Sequence, residues 1–488
     1  MIHRFWAAHF EFETLPPCLN PLTSTSIRLI LYLCSRECIF LKMPRIDRFF
    51  IAALILTLIP ATVMAAEGST SSEPAPRAVI KNQGFLPFAD APINYRSSKL
   101  DDPVARLEKR LERGEIKLHY DSRHGYLKSV LDALHISASS QTLVFSKTSF
   151  QYPNINPAAP RALYYNDDVY VGQVHDGKFL EFVSFDPMQG AIFYVMDEHR
   201  DKRPRFERSE VDCIQCHVAG PTKGIPGVML RSVFTKPDGT ADGAAKSYIT
   251  GQESPLSQRW GGWYVTAKSG TQGAMSADVA GKFNTASYLT GSSDIVALMV
   301  LAHQTQMHNW ITLANYTTRI ALADPKQDSE GARKTIEAAA EQLVRYLLFT
   351  NEAPLSTPIA GSSDFARQFA ARGPRDSQGR SLRDFDLQKR IFKYPCSYLI
   401  YSEAFDAIPS PAKDYVYRRM FDILSGREQG PEFASLSSQD RRAILEILVA
   451  TKPGLPQEWT QEVGKQFVRV TNQGLTSRAR AGAAHLQP

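Results

Sequence analysis

Thiols are scarce in this chain. Of its 488 residues six are cysteine, and three of those, Cys18, Cys34 and Cys38, lie in the first 42 residues. Charge of one sign is scarce too: the formal net charge is +6, and it falls to +4 without residues 1–65, which carry six basic and four acidic groups. So small a surplus, with no basic block interleaved with aromatics, gives no footing to a nucleic-acid partner and suits a solvated surface. The apolar run 49–59 stops well short of the ~20 residues of a membrane-spanning helix, so no stable span is expected. No internal repeat is visible, which removes repeat arrays from consideration. What remains is the composition of an ordinary globular protein, 43% hydrophobic and 22% charged, with enough apolar residues for a sizeable core.

The run 49–59 follows Met43-Pro44-Arg45-Ile46-Asp47-Arg48 and precedes Pro60 and the small-residue stretch Val63-Met64-Ala65-Ala66. A basic segment, a short apolar core and an A-x-A-like site make a secretory signal. It is predicted over residues 43–65, with cleavage after Ala65 and Ala66 as the alternative. Signals begin chains, so residues 1–42 read as an extension from a mis-assigned start, with Met43 the true one. Residues 66–80, rich in Ser, Glu, Pro and Ala, read as a flexible leader. About 420 residues then remain, which at ~100–200 per domain allows two or three domains.

Cys213-Ile214-Gln215-Cys216-His217 is the most specific short motif in the chain. Two thiols at this spacing can each add to one of the two vinyl groups of a single haem, and the adjacent histidine then lies under the iron as proximal ligand. Dithiol exchange would want a strand running into the pair inside a βαβ unit; the residues upstream, Arg200-Asp201-Lys202-Arg203-Pro204-Arg205, are a charged loop. Structural zinc would want a second pair of ligands, and the only downstream cysteine, Cys396, stands alone in the apolar setting Tyr394-Pro395-Cys396-Ser397-Tyr398-Leu399. The expectation is therefore one haem c, bound through Cys213 and Cys216 with His217 as proximal iron ligand. With two thiols so used, Cys396 has no partner and a disulfide framework is excluded within one chain. An export signal agrees, because haem c is attached outside the bacterial cytoplasmic membrane.

The local patterns describe an α+β protein. Asp102 before Pro103 is an N-cap and a favoured first helical residue for a helix ending near Gly114. A second helix is expected over 125–135, with Tyr126, Val130 and Leu134 on one face. Short β-rich runs follow at 143–145, 162–165, 169–174, 179–185 and 191–196, separated by Asn166-Asp167-Asp168, Asp176-Gly177 and Asp186-Pro187. Such punctuation predicts an antiparallel meander just upstream of the motif. Past His217 a strand is expected at 228–234, turned by Pro237-Asp238-Gly239, and another at 259–265. Long helices are expected at 294–321 and 330–349, then helical periodicity from 381 to 468, broken at Pro409, Pro411 and Pro453-Gly454. A β-meander-containing haem region, 81–290, is thus followed by a mainly α-helical C-terminal part, 291–470, and a disordered tail, 471–488.

The sixth position on the iron decides between electron transfer and catalysis, since a methionine there raises the potential and an open site binds small molecules. Met275, on the loop Ser269-Gly270-Thr271-Gln272-Gly273-Ala274-Met275, is one distal candidate, and Met229 is a weaker one. The other is His303, in Leu298-Met299-Val300-Leu301-Ala302-His303-Gln304-Thr305-Gln306-Met307-His308-Asn309-Trp310. It shares a helix face with Met299, Met307 and Trp310; the rival reading is a hydrogen-bonded core histidine. His308 sits roughly 140° around the same helix, so one haem would not see both.

The motif from Cys213 to His217 resembles that of c-type cytochromes. Together with Phe145-Ser146-Lys147-Thr148-Ser149, Tyr165-Asn166-Asp167-Asp168-Val169-Tyr170-Val171-Gly172, Trp260-Gly261-Gly262-Trp263-Tyr264-Val265-Thr266 and His303-Gln304-Thr305-Gln306-Met307-His308-Asn309, the chain is similar to an uncharacterised family of exported bacterial haem c proteins. That resemblance supplies membership but no activity, substrate or distal ligand. It differs from small cytochromes, where the motif follows a short N-terminal helix, and from di-haem peroxidases, which carry two such motifs. Two functions follow as expectations. The first is periplasmic electron transfer with a redox partner protein; the second is a haem-dependent oxidase or peroxidase with an open distal site near His303 or His308. A domain that binds haem only to sense ligand or redox state is a third.

Overall fold

A computed structural model describes residues 85–201, 203–245, 247–269 and 284–464. The signal, the leader, Met275 and the tail lie outside the described residues. Of what is described, the architecture is mixed α+β, built on one seven-stranded antiparallel sheet.

Strands β1 (Thr142–Val144), β2 (Arg161–Tyr165), β3 (Val169–Gln173), β4 (Phe179–Asp186), β5 (Gly190–Asp197) and β6 (Glu207–Arg208) pair each with the next, in the expected meander. The turns form where their residues demand. Asn166 Oδ1 accepts the N–H groups of Asp168 (3.1 Å) and Val169 (2.9 Å), and Asp176 adopts a left-handed φ of 55°. Asp186 Oδ1 accepts from Met188 and Gln189, both at 2.9 Å. A two-stranded hairpin follows the motif, β7 (Arg231–Val233) with β8 (Ser247–Ile249). The run expected as a strand at 259–265 contributes only β9 (Trp263–Tyr264), which returns to pair with β1. Left-handed φ values at Trp260 (71°) and Gly262 (77°) break the extended backbone there.

Period-two alternation gives the sheet two different faces. On one, Tyr164, Val171, Leu180, Phe182, Ile192 and Tyr194 are buried against helices α1 (Pro103–Glu112) and α2 (Leu127–Ala133). Asp102 caps α1, its Oδ1 accepting from Val104 (3.0 Å) and Ala105 (3.2 Å), while its Oδ2 takes the Tyr194 hydroxyl at 2.7 Å and so ties the helix to β5. On the other face, Tyr165, Tyr170, Phe185 and Phe193 meet the helical half of the chain.

After α3 (Val211–His217), that half begins with α4 (Ile295–Ala323), 29 residues long, capped by Asp294 and buried on nearly every side. A helix so enclosed belongs in a core, and α4 lies between the sheet and α5 (Ser329–Leu347). Tyr165 donates to the Ala297 carbonyl at 2.6 Å and Tyr316 to that of Gln189 at 2.7 Å. Helices α6 (Phe365–Ala371), α7 (Glu403–Asp406), α8 (Ser410–Leu424) and α9 (Ser438–Thr451) complete the layer. Glu341 on α5 pairs with Arg419 on α8 at 2.9 Å in a buried position. Two expectations change here. Residues 381–397 are irregular rather than helical, with Leu387 at φ 53°, and Pro411 lies in the first turn of α8, where a missing N–H costs nothing. No described helix is long and apolar enough to cross a membrane.

Candidate functional site

The meander delivers the chain to the motif through its last, two-residue edge strand. Arg208 anchors the junction by donating to the Tyr95 carbonyl at 2.7 Å and pairing with Glu210 at 3.0 Å. Helix α3 then places Cys213, Cys216 and His217 on two successive turns, Cys213 and His217 four residues apart and therefore on one face. Cys216 is exposed and Cys213 half-buried.

His217 is held by one ring nitrogen. Its Nδ1–H donates to the Gly227 carbonyl at 2.8 Å, and the ring tilts against Phe193 with centroids 4.8 Å apart. Among the described residues none bonds Nε2. A hydrogen bond at Nδ1 fixes the tautomer and leaves the lone pair on Nε2, the arrangement a metal-ligating histidine needs. Burial holds the imidazole pKa below its usual value, opposed by the Gly227 bond, so the ring is neutral at neutral pH. The loop that brings Gly227 back is closed by Thr222, whose buried hydroxyl accepts the Ala219 N–H at 2.9 Å, and by Gly227 N–H donating to the His217 carbonyl at 3.0 Å.

The sheet beside α3 is the less covered part of its face. Leu163, Val183 and Cys213 are each only partly buried where they pack against the core, and Val195 lies half-buried on the same sheet face as Leu163 and Val183. Arg161 and Glu181 form an ion pair across Gly172, near enough to Cys213 and His217 for both charges to act on them. The Nε of Arg161 is buried without a partner. Two thiols on adjacent turns, a neutral imidazole with an open Nε2 and an apolar strip with a cation at its edge form a donor set that fits haem c.

The rival readings of the motif fit less well. Burial raises the Cys213 thiol pKa, opposed by the Ser209 hydroxyl, whereas a disulfide-exchange site depends on a lowered thiol. The strand that enters belongs to an antiparallel sheet, not a βαβ unit. Among the described residues no three His, Cys, Asp or Glu side chains converge as a metal-ion site.

The other sequence-selected residues lie apart from this constellation. His303 is fully buried, Nδ1 bonded to Gln252 Oε1 at 2.7 Å and Nε2 to Ser397 Oγ at 2.8 Å. It stacks on Phe349 (4.4 Å) and Tyr346 (5.5 Å), and desolvation pulls its pKa down to about 3. Both nitrogens are committed, which is the core-histidine arrangement; ligation would require breaking the Ser397 bond. His308 points elsewhere, as its angular offset predicts. Its Nε2 donates to the Asp167 carbonyl at 2.8 Å, its ring stacks on Phe185 at 3.7 Å, and burial lowers its pKa to about 4. Met229 is partly buried beside Val228, and Met275 lies outside the described residues. Phe193, Gly227 and Asn309 were not singled out from sequence.

No family model, curated protein or solved structure matches the chain.

Proposed function

We propose that this is an exported haem c protein of periplasmic electron transfer, with one haem joined to Cys213 and Cys216 and His217 as the proximal iron ligand. The observation that carries the reading is the single hydrogen bond of His217: Nδ1–H on the Gly227 carbonyl at 2.8 Å, with Nε2 unbonded on the same short helix as two thiols. Bound haem would supply a one-electron couple, with a potential tuned by axial ligand, hydrogen bonding and burial. The residues would do the rest. Cys213 and Cys216 would hold the group covalently, each thiol adding its S–H across one vinyl group, so that no oxidant would be needed. His217 would hold the iron, and Phe193 beside it, with the partly buried Leu163 and Val183 of the same sheet, would offer the group an apolar surface.

An oxidase or peroxidase would want a histidine free to move protons beside an open iron position. His303 and His308 favour the carrier reading instead, because both are fully buried, His303 with both ring nitrogens bonded and His308 with Nε2 bonded and Nδ1 enclosed in the core. The partner would be a redox protein, with no nucleic acid and no membrane span required.

Protein purified from cells with haem c maturation machinery should stain for haem after denaturation, and Cys213→Ala with Cys216→Ala should abolish the stain. Colour that survives the double substitution would end the reading. The ferric spectrum separates the two functions: a low-spin, six-coordinate iron supports the carrier, and a high-spin, cyanide-binding iron supports the enzyme.

A further inference from the structure

Helix α4 reaches the backbone that receives His217 through Asn309. Asn309, fully buried, accepts the Val228 N–H on Oδ1 at 3.0 Å and donates from Nδ2 to the Val228 carbonyl at 2.7 Å. The amide thus engages both polar backbone groups of one residue, as a neighbouring strand would. The preceding residue is the one that receives His217. A Cβ on Gly227 would lie 2.3 Å from Asn309 Oδ1 and 3.1 Å from Thr222 Cβ, so only glycine lets the clamp close. We propose that Asn309 is a positioning residue for His217: by locking residues 227 and 228 it sets where the Gly227 carbonyl meets the imidazole, and so the plane and basicity of the ring.

The rest of α4 makes that clamp rigid. Five residues earlier, Gln304 donates to the Asn166 carbonyl (2.7 Å) and the Tyr170 hydroxyl (2.9 Å); next to it, His308 is tied to Asp167. Gln306 accepts from Lys223 Nζ at 3.2 Å, and the same ammonium lies 3.9 Å from the centre of the Trp310 ring. The loop between His217 and Val228 is therefore gripped at two points by α4, while α4 is gripped in turn by the sheet. Hydrogen bonds to the non-ligating nitrogen of a metal-bound histidine orient the ring and raise its basicity. Both side-chain hydrogen bonds of Asn309 go to Val228, so its influence on His217 passes through the Gly227 carbonyl.

The inference rests on the haem reading for its redox consequence but not for its geometry, and the test separates the two. Full-length wild type, Asn309→Ala and Asn309→Asp are labelled with ¹⁵N-histidine and examined without haem. Wild-type His217 should be the Nδ1–H tautomer, and Asn309→Ala should lose that preference. Asn309→Asp keeps the shape and one acceptor but not the donor, and should fall between. In haem-loaded protein, Asn309→Ala should retain the covalent stain and shift the reduction equilibrium about tenfold, which is about 59 mV for one electron. Unchanged tautomer and potential in variants that merely melt earlier would overturn the proposal and leave Asn309 as a satisfier of buried backbone. If Asn309→Ala fails to fold, the same readouts on Asn309→Asp decide. A wild type without covalent haem would sink the functional reading, yet the tautomer shift would still support the clamp.

Discussion

Two helices carry the histidines that matter, and they hold them in opposite ways. Helix α3 is seven residues long, has no fully buried side chain and binds its imidazole by Nδ1 alone. Helix α4 is 29 residues long, almost wholly buried, and its His303 has both ring nitrogens bonded and two aromatic rings stacked upon it. A histidine satisfied at both nitrogens stabilises a core, because an orphaned buried donor or acceptor costs about 1–3 kcal/mol. A histidine satisfied at one is equipped to bind something else. His217 differs from His303 in keeping a second nitrogen unbonded, and from His308, whose unpartnered Nδ1 is sealed in the core, in lying on a helix with no fully buried residue.

The sharpest way to break this contrast is to remove each ring in turn. His217→Ala should abolish the native iron spectrum while thioether-bound haem remains on the chain; His303→Ala should leave the spectrum of the remaining folded protein unchanged. A spectrum indifferent to His217 and altered by His303→Ala would reverse the assignment. Stability should respond the other way around. His303→Ala leaves a cavity and strips Gln252 Oε1 and Ser397 Oγ of a buried partner, for an expected loss of about 3–5 kcal/mol in denaturant unfolding. His217→Ala in the apo chain should cost far less.

Acid should separate the two helices further. The folded-state pKa values of His303 and His308 lie at about 3 and about 4, below the unfolded value of ~6.5. Their contribution is fully present above pH 6.5 and is lost as the pH falls through 4, since the unfolded chain takes up protons first. Asp168, Glu198 and Glu352, each raised by burial to about 7, act oppositely over the same interval, so total stability is a poor measure. The difference between wild type and His308→Gln isolates one group. Between pH 4 and 6.5 it should change by about 1.4 kcal/mol per pH unit; a pH-independent difference would mean that His308 is not a buried neutral ring. The smallest effect is expected at the α1 cap: Asp102→Ala should cost about 1–2 kcal/mol through lost capping and leave the haem spectrum untouched.

What could be read in advance follows the range of the interactions. The meander was legible because strand alternation and the Asn166, Asp176 and Asp186 turns are local, and the α1 cap because Asp102-Pro103 carries its own geometry. Residues 381–397 were misread as helical: Ile391, Phe392 and Tyr394 are buried in an aromatic cluster, but Asp386 Oδ1 accepts the N–H groups of Gln388 and Lys389 in a turn that periodicity does not register. At the site the Cys213-x-x-Cys216-His217 spacing was legible as a candidate haem motif. Gly227 and Asn309 were not, because their role depends on a contact spanning 81 residues, and a polar residue in an apolar helix looks the same whether it serves the core or the site. His303 is the case in point: its neighbours in sequence made it a ligand candidate, and Gln252 and Ser397, distant in sequence, make it a core residue.

The most direct measurement is a peptide mass map of protein matured in a haem c-competent cell. Trypsin releases residues 209–223 as one fragment containing Cys213, Cys216 and His217. That fragment should carry the mass of one haem and no free thiol. The same fragment at its unmodified mass, with both thiols open to alkylation, would contradict haem attachment at this site.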